Sequence, residues 1–356
     1  MNKSNKYKVI GCMSGTSLDG TDLAFCHFEC VAGHWKFQIV EAETIPYSDA
    51  WKKALHDSFK ISGLELFRLD HSYGRYLGEI IRKFVKKYNI EADFIASHGH
   101  TVFHEPGKGG SLQIGNGHDI HALTHLPVIA DFRSLDIALG GQGAPLVPAG
   151  DRLLFPDYFY CLNLGGFSNI SYTNGAELIA FDICPVNTVL NHFSRLAGHE
   201  FDNKGELGRK GKIIPDLVKQ LNAIEYYKKP PPKSLGQEFL KEFIYTISNK
   251  FQNSPENVLA SFYEHIATQI TSCLNNELQS IVMVTGGGAR NNYLLEKIKQ
   301  KTANQIKLPD TWIIDFKEAL IFAFLGVLRV KGINNCYASV TGSKYDNCGG
   351  VIYGQT

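Results

Sequence analysis

Apolar residues recur along this chain at two spacings, and the spacing separates strands from helices. An apolar run over 7–13 gives way to the loop SGTSLDG, after which TDLAFCHF and WKFQIVEAE supply two more alternating runs. That order predicts a β-hairpin turned at glycine. Helical periodicity covers 49–60 and 64–87, FIASHG and SLQIG read as strands, and HDIHALTH reads as a short helix before the strand LPVIA. The opening device then returns in FYCLNLGGFSNISYT: strand, glycine turn, strand. Further helices are predicted over 186–196, 235–251 and 255–278, and a final long one over 317–330. SIVMVTGGGARNNYLLEKI reads as strand, glycine turn and helix, whereas the three consecutive prolines of YYKKPPPKSLGQE exclude helix and favour an extended segment.

At 356 residues the chain is long for one hydrophobic core, so two domains are expected. The Gly/Pro-rich stretch GGQGAPLVP punctuates the halves, and the expected lobes are 1–132 with 340–356, and 133–339. Lys+Arg 36 against Asp+Glu 35 leaves a formal charge of +1, which gives no global field for nucleic acid or an anionic membrane. An anionic ligand must then be held by local geometry. The eight cysteines form no CxxC pair, which suits reduced thiols, and the N-terminus lacks the apolar segment of a secretory leader. The longest apolar stretch, 319–330, is shorter than the roughly 20 residues that span a bilayer and reads as a buried helix. A cytoplasmic protein is expected.

Candidate chemistry falls in five places. In GTSLDGTD, glycines turn backbone amides toward an anion, Thr16 and Ser17 offer hydroxyls to phosphate, and Asp19 or Asp22 suits Mg²⁺; a plain hairpin turn explains the same string. NLGGFSN, with Gly165 and Gly166, repeats that arrangement in the second half, and a surface turn remains its alternative. In TGGGARNN, a strand runs into three glycines and a helix, leaving a flat backbone surface for a ring or phosphate, or a site of tight helix-sheet packing. Asp182 in IAFDICPVN is expected after a strand and before a helix, as a base or as a helix cap. The histidines at 98, 100, 104, 118, 121 and 125 could suggest a metal, but no Cys or carboxylate of known zinc spacing accompanies them.

GCMSGTSLDGTDLA, ASHGHTVFH, LQIGNG, VIADFRSLDIALGGQGAPLVP, NLGGFSNIS, PPPKSLGQE, VTGGGARNN and EALIFAFLGVL follow one another in this order. Together, over about 8–353, they resemble the anhydro-N-acetylmuramic acid kinases, and ADFR followed by GGQGAPLVP is their most specific part. The resemblance implies an α/β, two-lobed actin-like ATPase (ribonuclease H-like) fold with a central nucleotide cleft, ATP and Mg²⁺ as cofactors, and a homodimer. It implies a reaction in which water opens the 1,6-anhydro ring while O6 takes the γ-phosphoryl group of ATP, in peptidoglycan recycling. By position, Gly15, Thr16, Ser17, Leu18, Asp19, Gly20, Thr21 and Asp22 would hold phosphate and Mg²⁺, the metal through Asp19 and Asp22. Asn163, Gly165 and Gly166 would close from the second lobe, and Gly286, Gly287 and Gly288 would lie near adenosine. His98, Thr101, Asp131, Arg133 and Glu318 would serve the sugar, and Asp182 would be the base that activates the water.

The chain departs from the family pattern where DTGPGN becomes DICPVN, where His100 replaces the usual Gln, and where LQIGNG lacks an acidic residue. The first change predicts a stiffer, bulkier segment beside the base. Two competing expectations follow, a kinase for a related amino sugar and a nucleotide-binding regulatory protein that has lost catalysis. A chaperone-like ATPase is a third, although no peptide-binding domain is legible.

Overall fold

The computed structural model describes residues 5–15, 18–248, 254–274, 277 and 279–355. The chain divides into two compact units, 1–155 with 316–356, and 156–315.

In the first unit a six-stranded sheet is built from β1 (Lys6–Ser14), β2 (Gly20–Val31), β3 (His34–Pro46), β4 (Phe94–Ser97), β7 (Val128–Ala130) and β13 (Val351–Tyr353). Its order is β13-β7-β4-β1-β2-β3, with β5 (His100–Glu105) and β6 (Gly110–Ile114) forming a separate hairpin. β2 runs antiparallel to β1 and β3, whereas β4 is parallel to β1 and β7 parallel to β4. The helix Gly63–Tyr88 starts at a capping box between Ser62 and Glu65 and ends at Asn89 in the left-handed conformation. It buries Tyr73, Leu77, Ile81 and Phe84, one stripe at helical spacing, in a core with Ile10, Leu23 and Ile95.

The helix Thr311–Lys331 is buried nearly all round between Ala319 and Leu328, as suits a purely apolar stretch in a protein core. It begins before the predicted residue 317, because the Asp310 carboxylate accepts the Trp312 amide at 2.8 Å and so caps the helix earlier. The helix lies so close to the sheet that a Cβ at Gly11 would overlap the Ala319 carbonyl oxygen. No helix among the described residues is long and apolar enough to cross a membrane.

The second unit repeats the plan. β8 (Tyr160–Leu164), β9 (Phe167–Asn174), β10 (Glu177–Pro185), β11 (Ile281–Thr285) and β12 (Gln305–Lys307) lie in the order β10-β9-β8-β11-β12. Again the first three strands form an antiparallel meander and the last two run parallel to the first. Counted within its unit, the first five strands of each sheet have the order 3-2-1-4-5 with the second antiparallel to the rest, which is the ribonuclease H-like α/β arrangement, and β13 adds a sixth, antiparallel strand to the first sheet. The helix Pro255–Ser272, capped by Ser254, buries Val258, Leu259, Phe262 and Ile266 against this second sheet.

The sequence reading divides the chain at 133 and 340, whereas the units divide near 155 and 315. Residues 133–155 and 316–339 belong with the first unit because Arg133 bonds His98, Lys317 pairs with Asp151, and Asn335 bonds Gly349. The ends of the helices predicted over 235–251 and 255–278 lie partly outside the described residues.

Candidate active site

In the first unit the glycine loop joins β1 to β2, as the alternation predicts. Thr16 and Ser17 lie outside the described residues. Leu18 holds a left-handed backbone (φ 60°), Asp19 is exposed, and Gly20 and Thr21 open β2. Such a positive φ in a non-glycine residue marks a tightly turned loop. Asp22 stands one residue further on, opposite Met13, and its Oδ1 accepts the Thr44 hydroxyl at 2.6 Å.

The residues assigned to the sugar divide into those the fold brings together and those it leaves apart. His98 is buried, and its Nδ1–H donates to the Gly99 carbonyl at 2.9 Å. Its Nε2 then accepts from the Arg133 guanidinium at 2.8 Å, which requires a neutral ring. Burial, and next the Arg133 charge, hold the His98 pKa well below its ordinary value. Arg133 also donates to the Gly143 carbonyl at 2.6 Å, and burial brings its own pKa down to about 10, against the pull of Glu318. Glu318 reaches solvent, yet the protein crowded around it raises its carboxyl. Lys317 opposes that shift, Asp22 adds to it, and Arg133 opposes it. One electrostatic neighbourhood therefore contains Asp22, Arg133 and Glu318. Thr101 accepts weakly from Gln113 at 3.4 Å in the β5–β6 hairpin, and Asp131 (φ 55°) accepts the Ser134 amide at 3.2 Å at the start of a short helix. Among the described residues no hydrogen bond or ion pair ties Thr101 or Asp131 to His98, Arg133 or Glu318.

In the second unit Asn163 is the last residue but one of β8, and Gly165 and Gly166 form the turn into β9. The Gly166 carbonyl accepts the Val186 amide at 2.8 Å and the Gly165 carbonyl the Asn187 amide at 3.1 Å, so the turn is tied to the start of the helix Asn187–Leu196. Gly286 (φ 81°) leaves β11 directly beside it: a Cβ there would lie 2.5 Å from Asn163 Oδ1, which only glycine tolerates. Asn187 Nδ2 donates to the Leu164 carbonyl at 3.1 Å, with Gly287 and Gly288 alongside. Gly165, Gly166 and the 286–288 loop thus meet at the C-terminal ends of two parallel strands, where α/β sheets receive ligands.

Asp182 does not follow a strand, as the sequence reading expects, but lies within β10. The pairing with β9 slips between Asp182 and Cys184, a β-bulge that re-aims the strand at this residue. The Asp182 amide donates to the Lys233 carbonyl at 3.1 Å, its Oδ2 accepts the Leu235 amide at 2.9 Å, and its carbonyl accepts the Tyr226 hydroxyl at 2.6 Å. The proline-rich segment therefore clasps this carboxylate. Desolvation raises the Asp182 pKa, and the Leu235 N–H, which favours the anion, opposes the shift. Ile183, Cys184 and Val186, the departures from the family pattern, are buried in the core of this unit, so their bulk fills hydrophobic space.

The family description "Anhydro-N-acetylmuramic acid kinase" matches residues 7–355. The chain belongs to this family.

Its similarity to individual members spans nearly its whole length. It is 34% identical to the anhydro-N-acetylmuramic acid kinase of Pasteurella multocida (strain Pm70), over 97% of this chain and 96% of that one. Against the protein of that name from Actinobacillus pleuropneumoniae serotype 7 (strain AP76) the identity is 34%, over 98% and 99%. Against that of Nitrosospira multiformis it is 33%, over 97% and 98%. Within this family member, the geometry draws in residues that motif reading left aside: Asn187, between the two glycine loops of the second unit, and the buried Lys317–Asp151 pair (2.8 Å) next to Glu318. Asn187 was legible as the last residue of DICPVN; the ion pair joins residues too distant in sequence to carry a signal. The histidines outside this site are spent locally. His118 packs edge-on against Tyr353, His121 bonds the Leu126 carbonyl, and His125 ends its helix in the left-handed conformation. Among the described residues no three His, Cys, Asp or Glu come together to hold a metal.

Proposed function

We infer that this kinase uses ATP and water to convert anhydro-N-acetylmuramic acid to N-acetylmuramic acid 6-phosphate, a step in recycling peptidoglycan sugar. The observation that carries the reading is the family match across nearly the whole chain. In the reaction a water oxygen bonds to C1 as the C1–O6 bond breaks, and O6 bonds to the γ-phosphorus as its bond to the ADP oxygen breaks. Asp182 takes the proton of the water. A desolvated carboxylate with a raised pKa is the stronger base, and with Oδ2 engaged by Leu235, Oδ1 is the oxygen that receives the proton.

Phosphoryl transfer needs positioning and charge neutralisation more than covalent chemistry. The loop 15–20 with Thr21 and Asp22 is assigned to the phosphates, Asn163, Gly165 and Gly166 to the same phosphates from the second unit, and Gly286, Gly287 and Gly288 to adenosine. Asp19 and Asp22 are the assigned Mg²⁺ ligands, since carboxylate oxygens suit a hard cation. Bound Mg²⁺ would neutralise charge on the triphosphate; chelation with EDTA is expected to stop transfer, and full turnover without divalent cation would remove these two assignments. His98, Thr101, Asp131, Arg133 and Glu318 are assigned to the sugar. Arg133 remains a cation at neutral pH and is the partner for the lactyl carboxylate. A homodimer is the assembly proposed, to be read from the sedimentation mass; a monomer at working concentration would contradict it.

The deciding assay incubates the protein with ATP, Mg²⁺ and a panel of anhydro and reducing amino sugars, followed by mass spectrometry. One 6-phosphosugar per ADP, from the anhydro sugar, is expected. ADP release without phosphosugar, or phosphorylation of reducing sugars alone, would overturn the reading.

A further inference from the structure

A run of buried hydroxyls lies under the root of the 15–20 loop. Tyr47, just beyond the end of β3, donates its backbone amide to the Asp19 carbonyl at 3.3 Å. Its hydroxyl donates to Ser14 Oγ at 2.7 Å and accepts from Thr21 Oγ1 at 2.8 Å. Ser14 and Thr21 face each other as the last pair of β1 and β2 before the loop, so one side chain joins both strands at the point where the loop leaves them. Tyr73 OH stands 2.6 Å from Tyr47 OH. The single Tyr47 proton is spent on Ser14, so Tyr73 is the donor there.

Ser14 continues the run, with its Oγ 3.0 Å from His100 Nδ1. Ser14 accepts from Tyr47 and passes its own proton to the imidazole where His100 is the neutral ring protonated at Nε2. Burial keeps it neutral by lowering its pKa to about 4, and burial raises the pKa values of Tyr47 and Tyr73, so every proton in the run stays in place near neutral pH. All five side chains are buried. In that tautomer the run has one direction, from Thr21 and Tyr73 through Tyr47 and Ser14 to His100. Its far end is next to Thr101 and two residues from His98.

We propose that Tyr47 is a positioning residue for the transfer: its hydroxyl and amide set the loop that receives the triphosphate, and through Ser14 and His100 they hold that loop in register with the segment that receives the sugar. This rests on the assignment of loop 15–20 to ATP and of His98 and Thr101 to the sugar. An unfilled hydrogen bond at a buried group costs more than the bond itself contributes, so removing the Tyr47 hydroxyl leaves Ser14 and Thr21 without their shared partner.

The test compares Tyr47→Phe with Tyr73→Phe. Both delete one buried phenol oxygen, but Tyr47 is the one that bonds Ser14, Thr21 and the Asp19 carbonyl together. For Tyr47→Phe the KM for ATP is expected to rise about three- to tenfold, the effect of a lost hydrogen bond, with kcat reduced as well, whereas Tyr73→Phe keeps the wild-type KM for ATP. His100→Gln, whose amide oxygen can accept from Ser14, is expected to retain wild-type constants, and His100→Phe to raise both KM values. In ¹⁵N spectra of the wild type, the Nδ1 of His100 is expected at the shift of an acceptor nitrogen. Equal effects of Tyr47→Phe and Tyr73→Phe on the KM for ATP, or no effect of either in a turning-over enzyme, would overturn the proposal. So would a proton on Nδ1 of His100. If instead the wild type forms no phosphosugar, it is the functional reading that fails, and the spectrum still decides whether the hydroxyl run exists as drawn.

Discussion

Asp182 carries one oxygen on the Leu235 amide while its backbone is fixed by Lys233 and Tyr226, so the side chain has little freedom and a single oxygen to offer. Its environment sets a pH dependence with a definite sign. A base works only when ionised, and desolvation puts the pKa of this group above the ordinary 3.8. Activity should therefore be full above that raised pKa and fall as pH drops through it, with the acid limb of kcat/KM for the sugar above the range of an exposed aspartate. Glu318 is also raised, by desolvation first, so the limb has two candidate owners. Measuring the profile in Glu318→Gln separates them: the limb persists if it belongs to Asp182, and its disappearance would assign it to Glu318. His98 and Arg133 are shifted the opposite way, downward, by burial first. His98 is kept neutral by burial and by Arg133, and so acts as a hydrogen-bond acceptor rather than as an acid.

At the scale of elements, close approach matters more than propensity. The long apolar helix lies on the first sheet with the Ala319 carbonyl where a Cβ of residue 11 would go. Gly11→Ala is thus expected to destabilise the protein by about 1–3 kcal/mol through overpacking, seen as a lower urea midpoint. An unchanged midpoint would show that helix and sheet are further apart than described. The two meanders were legible because alternating apolar runs broken by glycine have few other solutions, and FYCLNLGGFSNISYT and TDLAFCHF fall on β8–β9 and β2. The site was legible where it rests on backbone, in the turns at Gly165–Gly166 and at 286–288. It was not legible where it rests on tertiary contact. Asp182 reads as the residue after a strand because the bulge at Ile183 breaks the alternation that would have extended β10 to Pro185. The start of the last helix was hidden because TWIIDF has no clear period, and only the Asp310 cap defines it. The sequence reading sets its domain limit at 133, whereas 133–155, which contain the Gly/Pro-rich stretch 140–148, bond to residues of the first unit in space.

At the scale of the whole molecule, one supersecondary plan occurs twice, and in each unit the turn between the first two strands is a glycine loop. On the proposed assignments the glycine loops serve the nucleotide, and Asp182 in the bulged strand β10 serves the water. Binding of nucleotide and base chemistry are then separable properties. A ligand that binds only the folded state raises its melting temperature according to its concentration over Kd. The most direct test measures two quantities on Asp182→Asn: the melting-temperature shift with a non-hydrolysable ATP analogue and Mg²⁺, and the rate of phosphosugar formation from anhydro-N-acetylmuramic acid. The account predicts an unchanged shift with turnover down by about 10²–10⁴-fold, the contribution of a positioned general base. Turnover within a few-fold of wild type, with the shift intact, would contradict it.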